Sequence, residues 1–282
     1  MIVKQHYTIP GAKGRGMTAD ITYDTLHPYA PLVIFAHGIR GFKDWGSHNL
    51  VARYFAENGF RFLKFNFSHN GTTADNPTEF ADLIAFSDNT FSFELEDLKL
   101  VIDFACGGSA IPRVKQVYLI GHSMGGGISI IKTAEDKRIA KLVTMAAISG
   151  FYNLWPKEAE KQWRLQGVMY MKNSRTGQNM PYKSSLLQDL DNNPERLDIP
   201  LKASEITQPW LIIHGDSDTS VPLSHAVQLH KAQPNAELVI IPDADHVFNA
   251  THPYVLPDLP PQLLQFCDIA IDFFKNKVPS HL

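Results

Sequence analysis

A serine hydroxyl is a weak nucleophile until a base removes its proton, and an imidazole serves as that base when a carboxylate fixes its tautomer. Three short stretches of the chain supply one group of each kind. Gly121-His122-Ser123-Met124-Gly125 places a serine between glycines, His214-Gly215-Asp216-Ser217-Asp218 offers a carboxylate, and Asp243-Ala244-Asp245-His246-Val247-Phe248 offers an imidazole. Together, Ser123, Asp218 and His246 would form a triad for acyl transfer. The two backbone N–H groups needed to hold the oxyanion are expected from Met124, next to the serine, and from Ile39 in His37-Gly38-Ile39-Arg40-Gly41.

Such groups can meet only if the elements before them end at one edge. Apolar, β-branched runs predict strands at Leu32–Ala36, Arg61–Phe65, Gln116–Ile120, Leu142–Ala146, Trp210–His214 and Leu238–Ile241. An opening antiparallel pair is predicted over Ile2–Ile9 and Thr18–Tyr23. Helical periodicity marks His48–Asn58 and Phe93–Phe104, a helix should begin directly after Ser123, and another is predicted over Pro261–Lys275. Strands alternating with helices predict an α/β fold with a mostly parallel, doubly wound sheet. In such a sheet chemistry gathers at the carboxyl ends of the strands, where Ile39, Ser123, Asp218 and His246 all fall.

The other candidates read differently. Asp216 shares a loop with Asp218 and is read as a turn-former, while Asp243 and Asp245 shape the loop of His246. His37 and His122 border the site as structural hydrogen-bonders. His225, His230 and His252 are read as surface residues. Arg40, Lys43 and Trp45 could meet a substrate, but solvated charges are the simpler reading of the two cations.

Two long interruptions break the alternation. Residues 68–90 are rich in Asn, Thr, Asp and Gly, and residues 150–209 carry Trp155, Trp163, Tyr170 and Tyr182 among helix-compatible polar residues. The second is read as a small helical cap inserted into a single domain spanning 1–282.

Composition narrows the function classes. With 282 residues, 44% of them hydrophobic, the chain can bury one large core, and 26 basic against 29 acidic residues leave no polybasic face for nucleic acid. Cys106 and Cys267 are too few for a disulfide framework or a cysteine zinc site. No HExxH, phosphate-binding loop with lysine, or dinucleotide fingerprint is present, so no metal or cofactor is expected. Neither a secretory signal nor a run long enough to span a membrane is seen, which predicts a cytoplasmic protein.

On His37 to Lys43, Gly121 to Gly126, His214 to Asp218 and Asp243 to Phe248, the sequence resembles the α/β-hydrolase superfamily. Within it, the chain is similar to bacterial carboxylesterases of the feruloyl and cinnamoyl esterase type and to dipeptidyl-peptidase-like hydrolases, over about Pro31 to Phe274. The order Ser, Asp, His agrees with that superfamily. The resemblance implies an α/β-hydrolase fold, the triad Ser123, Asp218 and His246, and oxyanion donors at Ile39 and Met124. It also implies cofactor-free cleavage of small or medium acyl esters, with hydroxycinnamoyl esters in range. Acylaminoacyl or dipeptidyl peptidase and thioesterase activity use the same triad, and a non-catalytic ligand-binding protein is the reading from outside enzymology. The expected partner is a small-molecule ester; the oligomeric state stays open.

Overall fold

The computed structural model describes residues 1–108 and 110–275. A sheet of eight strands forms its centre: β1 Ile2–Pro10, β2 Gly16–Asp24, β3 Leu32–Ala36, β4 Arg61–Phe65, β5 Val117–His122, β6 Ile139–Met145, β9 Trp210–Gly215 and β10 Glu237–Ile241. Their spatial order is β1-β2-β4-β3-β5-β6-β9-β10. β1 and β2 are antiparallel, β2 joins β4 antiparallel, and every pairing from β4 to β10 is parallel. The carboxyl ends of β3, β5, β6, β9 and β10 therefore share one edge.

Successive side chains of a strand point to opposite faces, so a central strand covered on both sides, such as β3, is apolar throughout. In β3, Leu32, Ile34 and Ala36 enter one core, and Val33 and Phe35 enter the other. The first core is closed by α3 Phe91–Gly107, α4 Met124–Glu135 and α8 Ser224–Ala232, through Leu95, Leu98, Ile128, Ile131 and Leu229. On the opposite face Val51 and Phe55 of α1 His48–Glu57 meet Leu263, Phe266 and Phe274 of α9 Pro261–Lys275. Each such side chain contributes about 1.5–3 kcal/mol when fully removed from water. Local signals start and stop the helices. Thr90 Oγ1 accepts from Phe93 N at 3.2 Å to cap α3, and Gly108, at φ 76°, ends it.

Between β6 and β9 lies the long insertion. It contains α5 Glu160–Gln166, α6 Ser185–Asn192 and α7 Ile199–Ser204, and also a two-stranded antiparallel hairpin, β7 Val168–Lys172 with β8 Asn179–Lys183. The hairpin is an addition to the helices expected there. Gly167, at φ 77°, stops α5, and the chain turns directly into Val168-Met169-Tyr170, residues suited to a pleated strand. Trp163, Met180 and Tyr182 are buried, and Trp163 Nε1 donates to Tyr182 O at 2.7 Å, fastening α5 to the hairpin. Tyr170 is exposed. α7 packs on α4 and α8, so the end of the insertion joins the body of the protein. The short helix α2 Leu83–Asp88 lies in the other interruption and contacts β8.

Candidate active site

Ser123 sits at the turn from β5 into α4 with φ 57° and ψ −121°, a conformation costly for a residue with a side chain. Surrounding structure enforces it. Ser123 N donates to Met145 O at 2.9 Å, and its carbonyl accepts from Gly126 N at 3.0 Å and from Gly127 N and Ile148 N at 3.3 Å. Gly125 permits the close approach of α4 to the end of β3, since a Cβ there would stand 2.3 Å from His37 O and 2.5 Å from Ala36 O. The result is a hydroxyl held on the sheet edge, in a side chain with little exposure.

The loops after β9 and β10 bring the other two groups to it. His246 Nε2 lies 3.0 Å from Ser123 Oγ, and His246 Nδ1 lies 2.8 Å from Asp218 Oδ2. A carboxylate can only accept, so Nδ1 carries the proton and Nε2 is the bare nitrogen facing the hydroxyl. Asp218 is held as an anion. Burial alone would raise its pKa, but hydrogen bonds from His214 and His246, the neighbouring His246 and the Val221 amide outweigh burial and hold it well below the usual carboxylate range. Oδ1 accepts from Ser220 N and Val221 N, both at 2.8 Å.

The two loops are also tied to each other: Asp243 N donates to Asp216 Oδ1 at 2.8 Å and Ser217 N to Ala244 O at 3.1 Å. Asp216 thus joins the loops, and Asp245 Oδ1 accepts from Val247 N and Asn249 N within its own loop. His122 Nε2 donates to His246 O at 2.9 Å. Burial, then the neighbouring His246, pushes His122 down to about 3; burial pushes His37 down to about 4. Both rings stay neutral near pH 7 and hold backbone.

Met124 is the first residue of α4, so its N–H is one of those that the helix leaves without an internal partner. Ile39 belongs to the loop after β3, whose Gly38 runs against Ser123: a Cβ on Gly38 would lie 2.9 Å from the serine Cβ. The loop is pinned from behind. Lys43 N donates to Asn66 Oδ1 at 2.6 Å, and Lys43 Nζ lies 2.6 Å from Asp20 and against Asp44. Lys43 is therefore buried, which corrects its reading as a solvated charge: the sequence shows Asp44 beside it but not Asp20, which the fold brings from β2.

Ser123, His246 and Ile39 open onto a cavity of about 380 Å³. That is the scale of small-molecule sites. Asn153, Leu154, Asn173, Ser174 and Arg175 of the insertion form part of its wall. His225 and His252 also line it, although both were expected at the surface. Each follows a strand of the same edge, β9 or β10, so the strand-end rule that singled out His246 could have found them too.

The comparisons agree with this architecture. The chain is 30% identical over 132 residues to an abhydrolase domain-containing protein of Dictyostelium discoideum, covering 44% of this chain and 29% of that one. It is 30% identical over 117 residues to putative esterase/lipase 2 of Mycoplasma pneumoniae, covering 41% and 37%. These matches thus span well under two thirds of either relative. Among solved structures, Est1E from Butyrivibrio proteoclasticus with ferulic acid bound superposes with a TM-score of 0.69 at 21% identity, over 95% of this chain and 98% of that one. Among the described residues, no helix is long and apolar enough to cross a membrane. The model of the alpha/beta hydrolase family matches residues 33–256, most of the sheet and all of the strand-end loops described above, and the chain belongs to that family.

Proposed function

We propose that this hydrolase is a serine carboxylesterase working through an acyl-enzyme. The observation that carries the reading is the continuous chain from Ser123 Oγ to His246 Nε2 at 3.0 Å and from His246 Nδ1 to Asp218 Oδ2 at 2.8 Å. His246 takes the hydroxyl proton as Ser123 Oγ attacks the ester carbonyl, and the Ile39 and Met124 N–H groups receive the oxyanion. Collapse of the tetrahedral intermediate expels the alkoxide, which leaves with the proton from His246. Water, deprotonated by the same imidazole, then attacks the acyl carbonyl and frees Ser123. Asp218, held ionised, stabilises the imidazolium that forms in each half.

The insertion, residues 150–209, serves as the cap: its Leu154 and Arg175 share the cavity wall with Ser123. The ferulic acid held by Est1E makes hydroxycinnamoyl esters one class to try, beside short acyl esters.

Ser123→Ala decides the matter. It should lower kcat on aryl esters by at least about 10⁴-fold while the melting temperature stays put, because the unit fails when any member is lost. A fluorophosphonate should label the native wild-type chain at Ser123 and spare the variant. Undiminished turnover in Ser123→Ala would end the reading.

A further inference from the structure

The walls of the cavity carry charge of one sign. Arg40 and Arg175 line it, and among the described residues no aspartate or glutamate does, in a chain whose formal net charge is −3. Asp218 stands behind His246 and is absent from the wall.

Arg175 is incompletely satisfied. Its guanidinium lies over the rings of Phe42, at 5.5 Å, and Phe80, at 6.0 Å. Nη1 is 3.6 Å from Oε1 of Glu79, a long contact to an exposed carboxylate, and Nη2 is buried with no hydrogen-bond partner. Arg175 lines the cavity with 24% of its side chain exposed, so an anion there can pair with the guanidinium more closely than the distant Glu79 does. Arg40 makes no ion pair among the described residues; its Nη1 has only Lys172 O, at 3.5 Å.

Two neutral donors share the wall. Gly46 N donates to His252 Nδ1 at 2.8 Å, and Ser149 N donates to His225 Nδ1 at 3.0 Å. A backbone N–H can only donate, so both rings carry their proton on Nε2. Burial lowers the pKa of each, and the charge of Arg175 lowers that of His252 further, so both are uncharged donors at neutral pH. Asn153, Asn173 and Ser174 add hydrogen-bonding groups. A cationic substrate would meet two arginines and no counter-charge. Apolar walls at Trp45, Ile148 and Leu154 limit screening by water, which strengthens any pairing made there.

From this lining we infer that the cavity selects esters bearing a carboxylate, with Arg175 as the residue that recognises it, beside Arg40 and the Nε2–H group of His252. The inference rests on the serine-esterase reading and adds the substrate class to it.

Matched pairs test it: monophenyl adipate against phenyl hexanoate places the charge on the acyl side, and the butyryl ester of 4-hydroxybenzoate against that of its methyl ester places it on the leaving side. The wild-type protein should favour the anionic member of at least one pair by about tenfold in kcat/KM, the gain typical of a charge-assisted hydrogen bond, and the preference should shrink as salt rises. Arg175→Met should bring that ratio towards one, and Arg175→Lys should keep part of it. Equal kcat/KM within both pairs, or a ratio unmoved in Arg175→Met, would overturn the assignment. Should Arg175→Met not fold, the wild-type ratio, its salt dependence and the Arg175→Lys ratio decide. Ser123→Ala separates the two readings: turnover that survives in it removes the esterase, whereas a dead variant beside a wild-type protein blind to charge removes the carboxylate subsite alone.

Discussion

Glu94 is a carboxyl group that is almost completely buried. Asn89 Nδ2 donates to Oε1 at 2.7 Å, Oε2 has no partner, and the side chain borders a small void shared with Met124, Ile39 and Tyr182. Burial, with Asp97 and Asp189 nearby, pushes its pKa up to about 8 despite the Asn89 hydrogen bond. The unfolded chain loses this proton near pH 4.5 and the folded chain holds it to about pH 8, so the native state binds more protons across that window and stability falls as pH rises through it. Glu94→Gln keeps the shape and removes the ionisation. Thermal melts should show the variant more stable than wild type by a few kcal/mol at pH 8, the gain fading towards pH 5. A difference independent of pH would refute the argument.

The junction of β5 and α4 is where local structure and chemistry are least separable. α4 can begin on Ser123 only because Gly125 lets the helix touch the end of β3, and the atoms a methyl would strike are the backbone carbonyls of Ala36 and His37. Neither can move without carrying the Gly38–Ile39 loop away from the serine. Gly125→Ala should therefore cost at least about 2 kcal/mol in denaturant melts and lower kcat more than it raises KM. Gly107, at the end of α3, is the control: a Cβ there meets nothing within 4 Å, and Gly107→Ala should be neutral or gain up to about 1 kcal/mol. Equal effects from both variants would show that helix propensity, not the close approach, governs the junction.

Taken across the whole molecule, the site is anchored by charges buried well behind it. Lys64 and Asp20 are fully buried, 2.9 Å apart; Lys43 is 2.6 Å from Asp20, and Asp44 contacts both lysines. His6 Nδ1 joins Asp20 from β1 at 2.6 Å. Two lysines and two aspartates thus join β2, β4 and the loop that carries Ile39. Such a network holds geometry better than it adds stability, because desolvation opposes the pairing. Removing Lys64 leaves Asp20 and Asp44 sharing Lys43 where two lysines had served them, so Lys64→Met should cost about 3 kcal/mol in chemical denaturation. Removing one charge of each sign, as Lys64→Met with Asp20→Leu, leaves Lys43 with Asp44 and should recover most of that loss. A double variant no better than the single one would contradict this account.

Much of the frame is legible in the sequence itself. The strands over 32–36 and 61–65 and the last helix have the bounds read from the sequence, because an apolar run flanked by turn residues is a local signal. The strand ends preceding Ser123, Asp218 and His246 were legible for the same reason, and a parallel sheet then requires those ends to share an edge. Other features depend on partners remote in the chain. That Lys43 is buried, that His225 and His252 face the cavity, that Arg175 reaches it from a hairpin, and that Glu94 stays protonated each require neighbours tens to hundreds of residues away. Sequence alone determined which groups stand at the strand ends, since strand period and chain order are properties of the chain. Tertiary structure decided what surrounds them, because burial and the sign of the field in a cavity are sums over residues that only the fold brings together.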